Sequence, residues 1–195
     1  MKNKIFFLNW LRLHWNNLVD HVALKDYQLV KEQYFKEVSE HEYLTKLSVE
    51  DDVYKVEDNA ILLLIEKWLR AKAAVHDPEK KHFYHRNYEV RMALMQRFLF
   101  NEEEGLFENY HLVTKTKTPC LPLHQFYLYW LNLSKNQELA KSLLPKIKLD
   151  DPQLFVVFMG LRRLGLIIEA NEIGKKIGMI IDDYMPLIST NTGPF

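Results

Sequence analysis

The strongest constraint on this chain lies at His76-Asp77-Pro78-Glu79, where one long run of helical periodicity stops and another starts. Before it, Leu62, Ile65, Trp68 and Leu69 repeat at helical spacing up to about Val75, the pattern of a helix that buries one face. After it, a second run extends from about Glu79 to Phe100. Proline suits the first turn of a helix, where its missing N–H removes no bond. A link this short forces the two helices antiparallel. Asp58 is placed to cap the first of them.

The same grammar recurs along the chain. Residues 4–20 put Phe7, Trp10, Leu11 and Leu18 on one face, and residues 22–46 continue with Tyr27, Val30, Tyr34 and Val38. Further helices are predicted at about 122–133, 136–145, 152–164 and 167–183, with short links at Asn132 to Asn136, Pro145 to Asp151 and Gly165. The expected fold is all-α, a stack of antiparallel helical hairpins in one domain, 1–195. No fixed period marks a regular solenoid. Ser48-Val49-Glu50-Asp51-Asp52 reads as an acidic connection. Residues 101–119 are the longest irregular stretch, and their Thr/Lys alternation from Thr114 to Thr118 suits a short β-ribbon or an extended loop. The tail from Ser189 to Phe195 has the composition of a frayed end.

Charge limits the partners. Lysine plus arginine (26) balances aspartate plus glutamate (26), so the chain lacks the basic footprint of a general nucleic-acid binder or of a surface held to anionic lipid. A membrane partner is not expected either, since no run approaches the roughly 20 apolar residues that span a bilayer. The opening Met1-Lys2-Asn3-Lys4-Ile5-Phe6-Phe7-Leu8 breaks at Asn9 and Arg12 and reads as a first helix rather than a leader. One cysteine, Cys120, permits no internal disulfide. That fits a reducing compartment, and a cytoplasmic location is expected.

Few residues form a chemical constellation. Glu102, Glu103 and Glu104 are adjacent in a polar turn, whereas acid–base catalysis needs carboxylates in different environments on opposite sides of a substrate. A solvated charge run is the plainer reading. His82 and His85, with His76 upstream, have metal-like spacing, but the set of three or four ligands is not visible, so neither a metal nor any other cofactor is expected. Cys120 and His124 are too close in sequence to suggest a catalytic pair, and Cys120 reads as a small buried thiol. Arg70 and His76 have five residues between them. That resembles the spacing in HEPN ribonucleases, where such a pair cleaves RNA across a dimer interface, although Ala71 stands where a polar residue usually follows the arginine. The aromatics at Trp10, Trp15, Trp68 and Trp130 belong by default to the core, while a minority of such rings line sugar or peptide grooves.

A larger pattern extends from about residue 51 to 195. Val53-Tyr54-Lys55-Val56-Glu57-Asp58-Asn59-Ala60 is similar to a trehalase segment that opens a helix with aspartate, an apolar residue, asparagine and alanine. Arg97-Phe98-Leu99-Phe100-Asn101-Glu102-Glu103-Glu104-Gly105-Leu106-Phe107-Glu108-Asn109-Tyr110 resembles the helix end, acidic glycine turn and aromatic–aspartate–tyrosine strand of that family. The helix at Pro122-Leu123, Ala140 after it, and Gly160-Leu161-Arg162-Arg163-Leu164-Gly165 follow the same order. The resemblance implies part of the α/α toroid of trehalase-like glycoside hydrolases, about three or four of its hairpins.

The departures concern the chemistry. The family's acid lies in a glycine–tryptophan–aspartate segment with no counterpart here. Its base precedes a glutamine–tryptophan–aspartate stretch, in an interval collapsed here to Lys146-Ile147-Lys148-Leu149-Asp150-Asp151, and Asn109 replaces an aspartate. The expectation is therefore a helical protein that binds rather than reacts, with a carbohydrate or another protein as partner. Candidate contact residues are Asp51, Asp52, Glu102, Glu103, Glu104, Tyr110 and Trp130. Alternatives are a small protein-binding module, such as a toxin-immunity or adaptor protein, and a ribonuclease acting through Arg70 and His76.

Overall fold

The computed structural model describes residues 1, 3–14, 23–38, 49–50 and 52–178. Its chain divides into two compact units, Met1–His124 and Gln125–Phe195. Both are helical, as the periodicity predicts, and the strands are two to six residues long.

The first unit is built around α3 (Val56–His76), fifteen of whose 21 residues are buried. A helix buried on nearly all sides must be central. α4 (Pro78–Phe98) runs back along it, with Pro78 at its first position. α1 (Lys4–His14) and α2 (Leu24–Glu37) also pack on α3. Trp10 of α1 meets Trp68 edge to face at 5.4 Å, a favoured geometry for two rings. α4 turns only Tyr84, Asn87, Arg91 and Met95 into the interior, a single stripe at helical spacing.

Sequence reasoning places Asp58 as the cap of this central helix. The structure corrects that: α3 begins three residues earlier than such a cap implies, Lys55 takes the cap position without a side-chain capping bond, and Asp58 is buried in an ion pair. The cap comes instead from a distant residue, Asn109, whose Oδ1 accepts from the Val56 N–H at 3.0 Å.

The irregular stretch resolves into antiparallel strands. β1 (Val49–Glu50) pairs with β2 (Val53–Tyr54) through a turn that contains Asp52, and β2 pairs with β4 (Leu106–His111) in the register Tyr54–Tyr110. Asp52 in that turn has φ 58°, the left-handed conformation a tight hairpin requires. β3 (Phe100–Asn101) pairs with the start of β4, and β5 (Thr116–Pro119) pairs with Glu108 to His111. The Thr/Lys alternation thus forms a ribbon. Gly105, at φ 65°, closes the β3–β4 turn.

The second unit contains most of α5 (Pro122–Trp130), then α6 (Gln137–Leu143), a short 3-10 turn (Leu144–Lys146), α7 (Leu154–Leu164) and α8 (Ile167–Lys176). Asn136 caps α6 by accepting from the Leu139 N–H at 3.0 Å. α7 ends on Gly165 at φ 78°, with the Leu166 N–H reaching back to the Leu161 carbonyl at 3.0 Å, which satisfies a terminal carbonyl of the helix. That turn folds α8 back on α7. Gly160 brings α7 against α5, because a Cβ there would stand 2.7 Å from the Phe126 carbonyl oxygen. No described helix is long and apolar enough to cross a membrane.

Candidate functional site

The polar groups of the first unit gather in two buried constellations on α3. The first sits at its amino end. Glu57 Oε2 lies 2.5 Å from Lys4 Nζ and 3.5 Å from His124 Nε2. Asp58 Oδ2 lies 3.2 Å from the Met1 ammonium, and its Oδ1 is 3.4 Å from Lys4 Nζ. Burial alone would lower the pKa of the Lys4 ammonium, but Glu57 and Asp58 outweigh it and the net shift is upward. These carboxylates hold α1 against α3 and also lie at the positive end of the α3 dipole.

The second constellation lies two turns further along. Glu66 Oε1 accepts from Tyr34 Oη at 2.9 Å and from Arg91 Nε at 3.0 Å, with Arg91 Nη2 also at 3.0 Å. Arg91 Nη1 donates to Asn59 Oδ1 at 3.0 Å, and Asn87 Nδ2 donates to Tyr34 Oη at 3.0 Å. Burial raises the pKa of the Glu66 carboxyl, with Arg91 and Tyr34 acting in the opposite sense. Glu66 Oε2 has no hydrogen-bond partner among the described residues. The network joins α2, α3 and α4 through one buried carboxylate.

Glycosidic hydrolysis places two carboxyl groups about 5–10 Å apart across a substrate. Glu57 and Asp58 are adjacent, and Asp58 and Glu66 are separated by about 12 Å of helix axis. Asp151, in the interval where the resemblance puts a base, uses its Oδ1 to accept from the Gln153 N–H at 2.8 Å, just before α7.

The sequence-derived candidates are dispersed. Asp51 lies outside the described residues. Asp52 is exposed, and its carbonyl accepts from the Leu112 N–H at 2.9 Å. Glu102, Glu103 and Glu104 are exposed in the β3–β4 turn, where Asn101 Oδ1 accepts from the N–H groups of Glu103 and Glu104. The β-register puts Asp52 at the His111 end of β4 and the three glutamates at its Leu106 end, about 17 Å apart along the strand. They form two separate acidic patches. Tyr110 is half-buried and stacks on Tyr54 at 6.2 Å, with Phe98 at 5.7 Å. Trp130 is 3% exposed and meets Phe155 edge to face at 6.0 Å, inside the second unit.

Arg70 does not meet His76. Its Nη1 lies 2.9 Å from His85 Nδ1, and His85 Nε2 lies 3.2 Å from Glu89, while His76 stacks on Tyr27 at 5.4 Å. Cys120 is half-buried and donates to the Phe107 carbonyl at 3.4 Å. Among the described residues no group of three or more His, Cys, Asp or Glu is arranged to hold a metal. Sequence reasoning did not single out Glu66, Asn87 and Arg91, and it read Tyr34 only as part of a buried helix face and Asn59 only as part of the family-like segment. The signal was available: Asn87 and Arg91 fall in phase with the buried stripe that runs from Tyr84 to Met95.

Comparison with known proteins places this architecture. The trehalase family model matches residues 14–151, and the chain belongs to that family. Among solved structures it is similar to neutral trehalase Nth1 from Saccharomyces cerevisiae, at 13% identity and a TM-score of 0.49, over 89% of this chain and 41% of that one. The chain therefore spans about two fifths of that enzyme's length. No curated protein matches it.

Proposed function

We propose that this chain is a non-catalytic helical binding protein of the trehalase family, acting in the cytoplasm on a protein partner. The observation that carries this reading is the pairing of its buried carboxylates. Glu57 and Asp58 are matched by Lys4, and Glu66 by Arg91, all cations of the same chain. Carboxylates paired in this way hold helices together, which supports a structural role over an acid–base one. The contact surface of the reading is the exposed turn Glu102-Glu103-Glu104, whose charges suit basic residues on a partner. A protein partner is favoured over a carbohydrate because Trp130 lies edge-on in the core with its ring face covered, so of the two candidate aromatics only Tyr110 is near the surface.

Two measurements test the reading. Purified chain incubated with trehalose and with aryl glucosides should release no glucose above a heat-denatured control; release abolished by Glu66→Gln would overturn it. Affinity capture from the native host should retain one stoichiometric protein that is lost when Glu102, Glu103 and Glu104 are replaced by lysine. Recovery of the same protein by that variant would remove the acidic turn from the proposal.

A further inference from the structure

The first unit carries a second surface that sequence reasoning did not single out. Gln28, Lys31, Glu32, Phe35 and Lys36 line an open groove on the outer side of α2. Its aromatic floor continues onto α4, because Phe83 lies 5.7 Å from Phe35. Lys80 sits over both rings, its Nζ 5.7 Å from the Phe35 centroid and 5.1 Å from that of Phe83. Lys31 is already engaged, at 2.7 Å from Asp77. Lys80 has no ion pair among the described residues; ring faces alone hold its ammonium, which keeps its N–H donors for an incoming carboxylate. Lys36, Lys81 and His82 are exposed around it, with Glu32 the acidic member of the groove and Glu79 the acidic member of the first turn of α4.

The placement of these charges is not explained by the stability of α4. Glu79 in its first turn and Arg97 in its last follow the helix dipole. Lys80 and Lys81 near its amino end run against it, as do Glu102, Glu103 and Glu104 just beyond its carboxyl end. α4 has 21 residues and is about 30 Å long, so the basic-aromatic groove and the acidic turn at its two ends do not meet within one molecule. Between two molecules they are complementary. The chain as a whole carries no net charge, so no long-range repulsion keeps copies apart.

We propose that the groove over Phe35, Phe83 and Lys80 receives the Glu102-Glu103-Glu104 turn of a second copy of this chain. The proposal rests on the reading of that turn as a contact surface and names its partner. The contact is head to tail: one copy gives the turn and the other gives the groove, so each copy in an assembly keeps one of each. Such a contact grows into a ring or an open chain unless the two sites engage reciprocally in a dimer. Because its charges are at the surface, it weakens as salt shortens their range.

The experiment is sedimentation velocity on the purified full chain over a range of concentrations, at low and at high salt. Self-association at low salt that weakens about tenfold or more at high salt is expected. The groove variant Lys36→Glu/Lys80→Glu and the turn variant Glu102→Lys/Glu103→Lys/Glu104→Lys should each sediment as monomers. Mixed together they should associate again, since the acidic turn of one meets the basic groove of the other. All the substituted positions are exposed or half-buried, and circular dichroism of each variant checks that it has folded. Purified chain that stays monomeric at low salt overturns the proposal, and so does association that either variant leaves unchanged. Because no other protein is present, such a failure is separate from the capture experiment, which decides whether the turn binds a different partner.

Discussion

Arg91 and Glu66 face each other across the α3–α4 hairpin at 3.0 Å, with side chains 3% and 0% exposed. Burying two charges costs several kcal/mol per ion before their attraction is counted. This pair offsets that cost with bonds from Tyr34 to Glu66 and from Arg91 to Asn59. Removing one partner leaves the other charged and buried. Arg91→Met is expected to lower unfolding stability by about 3–5 kcal/mol. Replacing both, as Glu66→Leu with Arg91→Met, should recover most of that loss, because an apolar pair carries no desolvation cost. Urea unfolding of the three proteins measures this directly. A double variant no more stable than Arg91→Met would mean that Asn59 and Tyr34, left without their partners, dominate.

Five of the tyrosines resist ionisation. Burial raises the phenol of Tyr129 to about 12. Burial likewise raises Tyr27, Tyr34, Tyr84 and Tyr88, with Glu66 adding to the rise at Tyr34. An unfolded phenol titrates near 10. A group with a raised folded pKa contributes stability that is fully present below the unfolded value and is lost as pH rises toward the folded one. Stability should therefore hold up to about pH 10 and fall progressively above it. Urea midpoints across that range check the fall. The phenolate absorbance of the native protein should at the same time lag behind that of the unfolded chain.

The helices were legible because their signals are local. Pro78 alone divides α3 from α4, and Gly165 divides α7 from α8. Less was legible wherever a residue answers to something distant. The first residue of α3 is set by Asn109, 53 positions away, so the local candidate Asp58 was misread as its cap. β4 takes its register from β2 and β5 on its two edges, and only the β5 partner left an alternating pattern. The polar interior was hidden by residue type: an arginine on an otherwise mixed helix reads as surface, while Arg91 is among the most buried side chains of α4. The candidate surface residues were easier to find than to connect. Asp52 and the three glutamates lie beside the same strand, β4, yet at its opposite ends.

Asn109 is open to a sharp test because it gives α3 the cap that Lys55 lacks. Its Oδ1 satisfies the Val56 N–H, one of the donors a helix leaves free at its start. Asn109→Ala should cost about 1 kcal/mol of stability. Asn109→Asp, which restores the residue the trehalase pattern carries, keeps an acceptor and places negative charge at the positive end of the helix. Its loss at neutral pH should be smaller than that of the alanine variant, as read from thermal or urea unfolding. A larger loss would show that repulsion from Glu57 and Asp58 outweighs both gains.

Gly160 is fixed by space rather than by backbone conformation, and this separates it from Gly105, Gly165 and Gly178. Added at Gly160, a Cβ stands 2.7 Å from the Phe126 carbonyl oxygen and 3.2 Å from the Phe126 Cβ. The nearer atom is main chain on α5, so relief requires moving one helix rather than turning a side chain. Gly160→Ala should therefore cost about 1–3 kcal/mol, the range for overpacking a filled interior. At Gly105 the same substitution meets nothing within 4 Å, and the cost there comes from holding alanine at φ 65°. The two variants should differ in what rescues them. Truncating the neighbouring ring with Phe126→Ala removes the 3.2 Å contact to its Cδ1 but leaves its Cβ and its carbonyl in place, so Gly160→Ala should remain destabilising in the Phe126→Ala background. Full recovery, measured by urea unfolding, would mean that α5 and α7 slide apart more easily than their packing implies.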